Sequence, residues 1–427
     1  MGMHTSKKKV LFITLRSWWL GVSRLPGGLR EAGFAVAAWC PTESFLARTD
    51  AVERHFPWKG HEEWTPRLRE IVAEWQPDII IPGDETIAVY LRTLAAQSPL
   101  LHPKNAQLRQ ILRRSLGNPK TTRALDGKIA FQRLARSLGV RTPDDRPVAD
   151  FASALAVAEE LRYPVVLKDE FAAGGVGVKV CRDAEELSAG WDELESVRRS
   201  PVTLRDKLRQ MLDTLRGKAP HGRSLQKFIQ GKPAFHAVAA WEGRRLAGVT
   251  ARVEVTDPPG TGPSCVVRLC ENSEISTACA RIIRATGMSG FAGFDFMIED
   301  KTGRAYILEC NPRPTPVSHL GGLIDNDLCT AFHAAVENRP ATPTPRTVRT
   351  AGQVVAFYPQ EVLRDPQSPY LATAHLDIPW DDASLMAALR ERYPDLPRST
   401  DLAEIGELEE EAPQPRWMPT GRALVLA

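Results

Sequence analysis

Between Gly290 and Pro314 the chain reads GFAGFDFMIEDKTGRAYILECNPRP, with apolar and polar residues alternating on both sides of the segment DKTG. Such alternation predicts a β-hairpin in which Gly303 takes the positive φ the turn requires. Symmetric pairing about Thr302 sets Asp295 opposite Glu309, and the two-residue period of a strand puts Asp295, Met297, Glu309 and Asn311 on one face. Like charges opposed on strands otherwise built for burial repel each other, so the pattern calls for a divalent cation between them. Oxygen donors alone suit Mg²⁺ (or Mn²⁺), which commonly takes one or two carboxylates and finds its other ligands in substrate phosphates. Arg313 follows two residues later on the same side and can aid an anion held by that metal.

A second segment, VVLKDEFAAGGVGVKV, carries Lys168 at the end of an apolar strand, followed by Gly174, Gly175 and Gly177. Backbone amides of such a small-residue loop can wrap phosphate oxygens, although a plain hairpin turn beside a solvent-reaching lysine has the same sequence character. In a third segment, SLQKFIQGKPAFHAV, a strand ends at Gly231 and another begins near Phe235. The backbone groups of Lys227 and Ile229 then form an edge against which a purine can pair.

These residues need elements to hold them. KVLFIT, a helix over GVSRLPGGLREAG, the strand FAVAAW and the later strand DIIIP alternate as in a parallel, doubly wound sheet, whose ligand crevice lies beyond the carboxyl ends of its strands. Asp84 and Glu85 fall just there, where Asp serves equally as a helix N-cap. A helix carrying Lys128 is expected from Leu125 to Leu138, closed by Gly139, with a further helix over 151–162 and a strand over 164–169. The glycine loop joins that strand directly to VKVC, which predicts a hairpin and not the strand-to-helix turn of a dinucleotide fold. Residues 196–224 are basic, NRPATPTPRT after residue 338 reads as a linker, and GQVVAFYP and DASLMAALRERY beyond it read as a strand and a helix.

Composition sets the outer limits. At 427 residues, two or three compact units are expected, and 43% hydrophobic with 25% charged residues excludes disorder as the main state. A net charge of +3 is too near balance for a nucleic-acid-coating protein. No stretch approaches the roughly 18 apolar residues of a spanning helix, and VLFITL is shorter than a signal-peptide core, so no membrane partner and a cytoplasmic location are expected. Seven scattered cysteines, without a CxxC spacing, are expected to be reduced and mostly buried. By alternation Cys310 points away from its neighbours Glu309 and Asn311 and is no candidate nucleophile.

Taken in order, the lysine helix, the lysine strand with its glycine loop, the Gln-Lys-Phe-Ile segment and the acidic hairpin ending ECNPR resemble the ATP-grasp superfamily, most closely its carbamoyl-phosphate-synthetase and biotin-carboxylase-like branch. The likeness runs from about residue 10 to 338. It implies an α/β and α+β architecture: an N-terminal Rossmann-like parallel-sheet (pre-ATP-grasp) domain over 1–110, and a two-lobed ATP-grasp fold over 111–338 with a lid at about 140–230. Residues 339–427 are left as an extension of unknown role. The same resemblance makes Lys128 and Lys168 the lysines that meet ATP phosphates, and Gly174, Gly175, Val176 and Gly177 the flap above them. Gln226, Lys227, Phe228 and Ile229 would hold adenine, His236 a ribose, and Asp295, Glu309 and Asn311 the Mg²⁺. Arg313 would stabilise phosphate or a tetrahedral intermediate. One departure stands out: Gln226 occupies a position where the family usually has Glu, which leaves a neutral bond to the adenine amino group.

The activity so implied is phosphorylation of a carboxylate by ATP, followed by attack of an amine, or less often a thiol, on the acyl phosphate. Phosphorylation of bicarbonate or carbamate, and ATP binding without catalysis, are the alternatives. Small-molecule carboxylate and amine substrates are the expected partners, with a homodimer left open. Arg252 and Arg268 lie where such a fold meets its acceptor, and Trp18 and Trp19 follow the first strand as pocket or packing residues.

Overall fold

The computed structural model describes residues 7–60, 63–100, 102–125, 127–169, 177–199, 222–260, 262–340 and 352–396. Four parallel strands open the chain: β1 (Lys9–Ile13), β2 (Ala35–Cys40), β3 (Arg54–Pro57) and β4 (Ile79–Pro82), ordered β3-β2-β1-β4. Helices Leu25–Glu31 and Trp64–Trp75 make the crossovers, so the doubly wound opening expected from the sequence is present. The sheet is buried on both faces, as continuous β-branched runs demand: Val10 and Phe12 face one core, Leu11 and Ile13 another.

A second, four-stranded sheet is antiparallel in the order β5-β8-β6-β7, from β5 (Asp145–Val148), β6 (Val165–Asp169), β7 (Val178–Cys181) and β8 (Arg223–Lys227). One face presses Val165, Leu167 and Leu225 onto helices Phe151–Leu161 and Ala184–Arg199 through Ala154, Ala158 and Leu187. Asp150 and Ser153 cap the first of these helices reciprocally. The pairing of β6 with β7 confirms the hairpin reading of the glycine loop. Most of the basic stretch at 196–224 lies outside the described residues.

The largest sheet has seven strands: β9 (Gly231–Trp241), β10 (Arg244–Thr256), β11 (Ser264–Cys270), β12 (Gly290–Glu299), β13 (Ala305–Asn311), β14 (Val354–Phe357) and β15 (His375–Asp377), ordered β13-β12-β9-β10-β11-β14-β15. One face carries Ala237, Val249 and Phe291 and packs on the N-terminal unit and helix Leu328–Val336, through Leu25, Leu29 and Phe332. The opposite face carries Ala234, Val238 and Phe294 and packs on helices Lys128–Ser137 and Ser273–Thr286, through Phe131, Ile275 and Ile282. The segment after residue 352, left without a role by the sequence, extends this sheet by two strands, β14 and β15. Among the described residues no helix is long and apolar enough to cross a membrane.

Candidate nucleotide and metal site

The hairpin β12–β13 brings Asp295 directly opposite Glu309, with Asn311 opposite Gly293. The expected pairing holds, but not by symmetry about Thr302. Near the turn Ile298 pairs with Ala305 and Phe296 with Ile307, and a bulge at Leu308 shifts the register by one before Glu309. Gly303 has φ +68°, as the turn needs. The two bulge carbonyls are held by a residue that nothing in the sequence marked: Gln132, buried in helix Lys128–Ser137, donates Nε2 to Ile307 O at 3.0 Å and Leu308 O at 2.6 Å. Bulges re-aim side chains beside active sites, and this one lies next to Glu309.

Burial and the facing Glu309 charge push the Asp295 carboxyl well above the ordinary carboxylate range. Burial acts upward on Glu309 too, but its bond with Asp295 and the charges of Lys128 and Lys168 outweigh this and leave it low. Asn311 Nδ2 donates to Asp295 at 3.1 Å. The pair therefore sheds one charge to a proton unless a cation takes its place. Two carboxylates and a carboxamide oxygen fit a hard divalent ion that draws its other ligands from water and phosphate. Among the described residues no group of three His, Cys, Asp or Glu side chains could hold a metal alone.

Lys168 lies on β6 and is driven below its ordinary value by burial, against the opposing pull of Asp145 and Glu309. Lys128 opens its helix and donates Nζ to Asp169 O at 3.1 Å, which brings both lysines to one end of the small sheet. A cradle of two cations beside two acids suits a polyanion bound through a metal. Gly177 accepts from the Asp169 amide at 2.9 Å as the hairpin re-forms; Gly174, Gly175 and Val176 lie outside the described residues.

Gln226 stands buried on β8, on the face that also carries Lys168 and Ser224. The N–H of Lys227 donates to Asp144 O at 2.7 Å, so this donor is taken up within the small sheet. Phe228 and Ile229 form the short link from β8 to β9. His236 corrects one expectation. It pairs across strands with Thr250 and Phe294, donor or acceptor to Thr250 Oγ1 at 2.8 Å, and is buried among the residues beneath the sheet. Asp295 pairs with Phe235, so His236 is on the wrong face for a ribose beside that site.

Arg313 joins the acids to the N-terminal unit. A Cβ at Gly293 would lie 2.2 Å from Thr315, so the chain after Asn311 can fold back closely only because residue 293 has no side chain. Arg313 donates to Asn311 Oδ1 at 3.1 Å and to Glu85 at 3.4 Å, and its guanidinium lies 4.4 Å from the centre of the Trp19 ring. Glu85 begins the helix after β4, and Trp19 follows β1, so Arg313 reaches the expected crevice at the carboxyl ends of those strands. Asp84 caps that helix through Ile87 N and also accepts from Thr14 Oγ1 and Leu15 N. Arg252 and Arg268, expected near an acceptor, both bond Glu254 on the face opposite Asp295. Cys310 and five other cysteines are buried, Cys270 half-buried, and all seven are free.

Residues 127–207 match the family model for the carbamoyl-phosphate synthase L chain ATP-binding domain, and residues 211–317 the model for the ATP-grasp domain. Similar curated proteins include the carbamoyl phosphate synthase large chains of Rubrobacter xylanophilus, 26% identical over 59% of this chain, and Thermotoga neapolitana, 25% identical over 59%. The chain spans only 22% of the length of either relative. Among solved structures, the biotin carboxylase domain of Hydrogenobacter thermophilus 2-oxoglutarate carboxylase, crystallised with MgADP and bicarbonate, superposes with a TM-score of 0.57 at 15% identity, covering 82% of this chain and 74% of that one. Staphylococcus aureus N5-carboxyaminoimidazole synthetase, solved with ADP, superposes with a TM-score of 0.54 at 14% identity, covering 78% of each chain.

Proposed function

The chain is an ATP-grasp protein, and from that premise we propose that it is an ADP-forming ligase that phosphorylates a carboxylate with Mg²⁺-ATP (or Mn²⁺-ATP) and delivers the acyl phosphate to an amine. The observation that carries this is the half-buried Asp295–Glu309 pair, set against Lys128 and Lys168 and tied through Asn311 to Arg313. In this reading Asp295, Glu309 and Asn311 would hold the metal, whose charge would offset the negative charge of the ATP phosphates. Lys128 and Lys168 take the phosphates from the other side. Arg313, aligned by Glu85 and Trp19, steadies the anion as the carboxylate oxygen attacks phosphorus and again as the amine attacks carbon. No side chain becomes covalently linked to substrate.

We assign these roles together with a division into an N-terminal unit, an ATP-grasp region and a C-terminal segment completing the large sheet. Six buried free thiols favour a reducing, cytoplasmic location. The biotin carboxylase domain among the structural neighbours is a dimer, which makes a homodimer the assembly to test. A second reading, with bicarbonate as the acid, draws on the bicarbonate in that same structure.

The test is ADP release with Mg²⁺-ATP over a panel of carboxylates, bicarbonate among them, each with and without amines, beside Glu309→Gln. Turnover that needs both acceptor and amine and vanishes in the variant supports the ligase. Turnover with bicarbonate alone supports the second reading, and ATP binding with no turnover on any acceptor refutes both.

A further inference from the structure

The loop that leaves Arg313 runs alongside the short helix Leu20–Ser23, whose flanking residues are Trp19 and Arg24. At the start of the helix the Trp19 ring faces the Arg313 guanidinium at 4.4 Å. Midway, a Cβ on Gly21 would fall 2.8 Å from Pro316 Cα, so helix and loop touch with no room for a side chain between them. At the far end Arg24 Nη2 donates to Asp377 Oδ1 at 3.3 Å, and His319 Nε2 meets both oxygens of the same carboxylate at 2.9 and 3.0 Å. An ionised carboxylate only accepts, so Nε2 carries the proton of these bonds. One acid thus joins the end of the helix to the end of the loop, while the site arginine joins their beginnings.

Asp377 is the last residue of β15 and belongs to the C-terminal segment that the sequence left without a role. Burial opposes its charge, but His319 and Arg24 outweigh this and hold the carboxyl below the ordinary range. Leu20 and Phe45 share an apolar cluster with Tyr358 and Leu389, so the segment also packs on the helix. Apolar contact tolerates small shifts of the parts it joins, whereas bonds to a buried charge are directional and set the two donors relative to each other. Such placement matters at a site, where a shift of about 1 Å can cost roughly a hundredfold in rate.

Resting on the ligase reading above, we propose that Asp377 is a positioning residue: through His319 and Arg24 it sets the loop against the helix, and with them the Arg313 guanidinium against Trp19, so the C-terminal segment acts on the reaction through Arg313. The test uses the carboxylate and amine that give most turnover in the panel above. Asp377→Asn is made in the unaltered chain and beside Arg313→Lys, with His319→Leu and His319→Gln as a second pair. Turnover is counted per nucleotide site, titrated with fluorescent N-methylanthraniloyl ATP, so that a misfolded fraction does not enter. Asp377→Asn is expected to lower turnover by about tenfold or more with the KM for ATP unchanged. His319→Leu should do the same, while His319→Gln, whose amide can donate in place of the Nε2 proton, keeps most of the rate. Beside Arg313→Lys the effect of Asp377→Asn is expected to shrink to within about twofold, because residues that act through one another are not additive. An equal loss in both backgrounds, or no loss in the unaltered chain, overturns the proposal and leaves Asp377 a residue of the fold. Should Asp377→Asn bind no nucleotide, the His319 pair decides, and equal rates for Leu and Gln overturn it. No turnover by the unaltered chain on any acceptor removes the ligase reading and this one with it; turnover that Glu309→Gln abolishes and Asp377→Asn leaves intact removes only this one.

Discussion

Gln132→Leu removes two hydrogen bonds from the edge of β13 without touching any acid or lysine of the site. The Nε2 bonds run to Ile307 O and Leu308 O, at 3.0 and 2.6 Å. Leaving one buried and one half-buried carbonyl unpaired costs roughly 1–3 kcal/mol each. Against this, Gln132 Oε1 is itself buried without a partner, and its removal returns a penalty of similar size, about 1–3 kcal/mol. The net loss is about 1–3 kcal/mol. For a cooperative unit of about 200 residues this lowers Tm by roughly 5 °C. Freed of its anchor, the bulge no longer fixes where Glu309 stands relative to Asp295. Loss of an outer support typically weakens a metal site by roughly tenfold or more. Thermal melting over a Mg²⁺ series at fixed ATP reads both effects, with exposed Arg133→Ala as a control that should move neither. An unchanged Mg²⁺ midpoint with a lowered Tm would reduce Gln132 to a packing residue. Unchanged values for both would refute the account of the bulge.

Two further changes address the groups whose protonation the fold perturbs. Asp295→Asn replaces a carboxyl whose charged form burial and Glu309 disfavour, so without divalent cation it should melt at or above the temperature of the unaltered chain, while losing the rise produced by Mg²⁺-ATP; a lower cation-free Tm would count against the repulsion argument. Burial, with Arg245 adding to it, lowers the His236 pKa from 6.5 to about 3, so the unfolded chain takes up a proton below pH 6.5 that the folded chain refuses. Stability therefore falls as pH drops through that interval, by about 1.4 kcal/mol per unit or roughly 2 kcal/mol between pH 6.5 and 5. His236→Gln should flatten this limb in urea denaturation at pH 7, 6 and 5, and parallel curves would show that His236 does not carry it.

Much of the fold is legible in the sequence. Alternation around DKTG specified the hairpin, and the apolar runs KVLFIT and DIIIP specified a parallel sheet, because period and burial act over a few neighbouring residues. The direct strand-loop-strand reading of the glycine segment came from the same local logic. The same alternation sets Asp295 opposite Glu309, although the hairpin's symmetry is broken at Leu308. The sequence places Glu85 at the crevice and Trp19 as a pocket or packing residue, and only the fold shows that both meet Arg313.

Residue types and short-range periodicity thus determined which strands form and which polar groups lie on them. Tertiary pairing decided which of those groups meet. A single-residue step in register moves a side chain to the other face of a sheet, which is why His236 lies beneath the strand and Phe235 opposite Asp295. Asp145 and Gln226 are 81 positions apart in the chain and share a face only through the pairing of β5 with β8. Gln132 finds the bulge only because its helix packs along β13, and β14 and β15 join the large sheet only because β11 leaves an edge free. Each is a contact between distant segments, set by burial and backbone hydrogen bonding over the whole fold, and no local pattern encodes it.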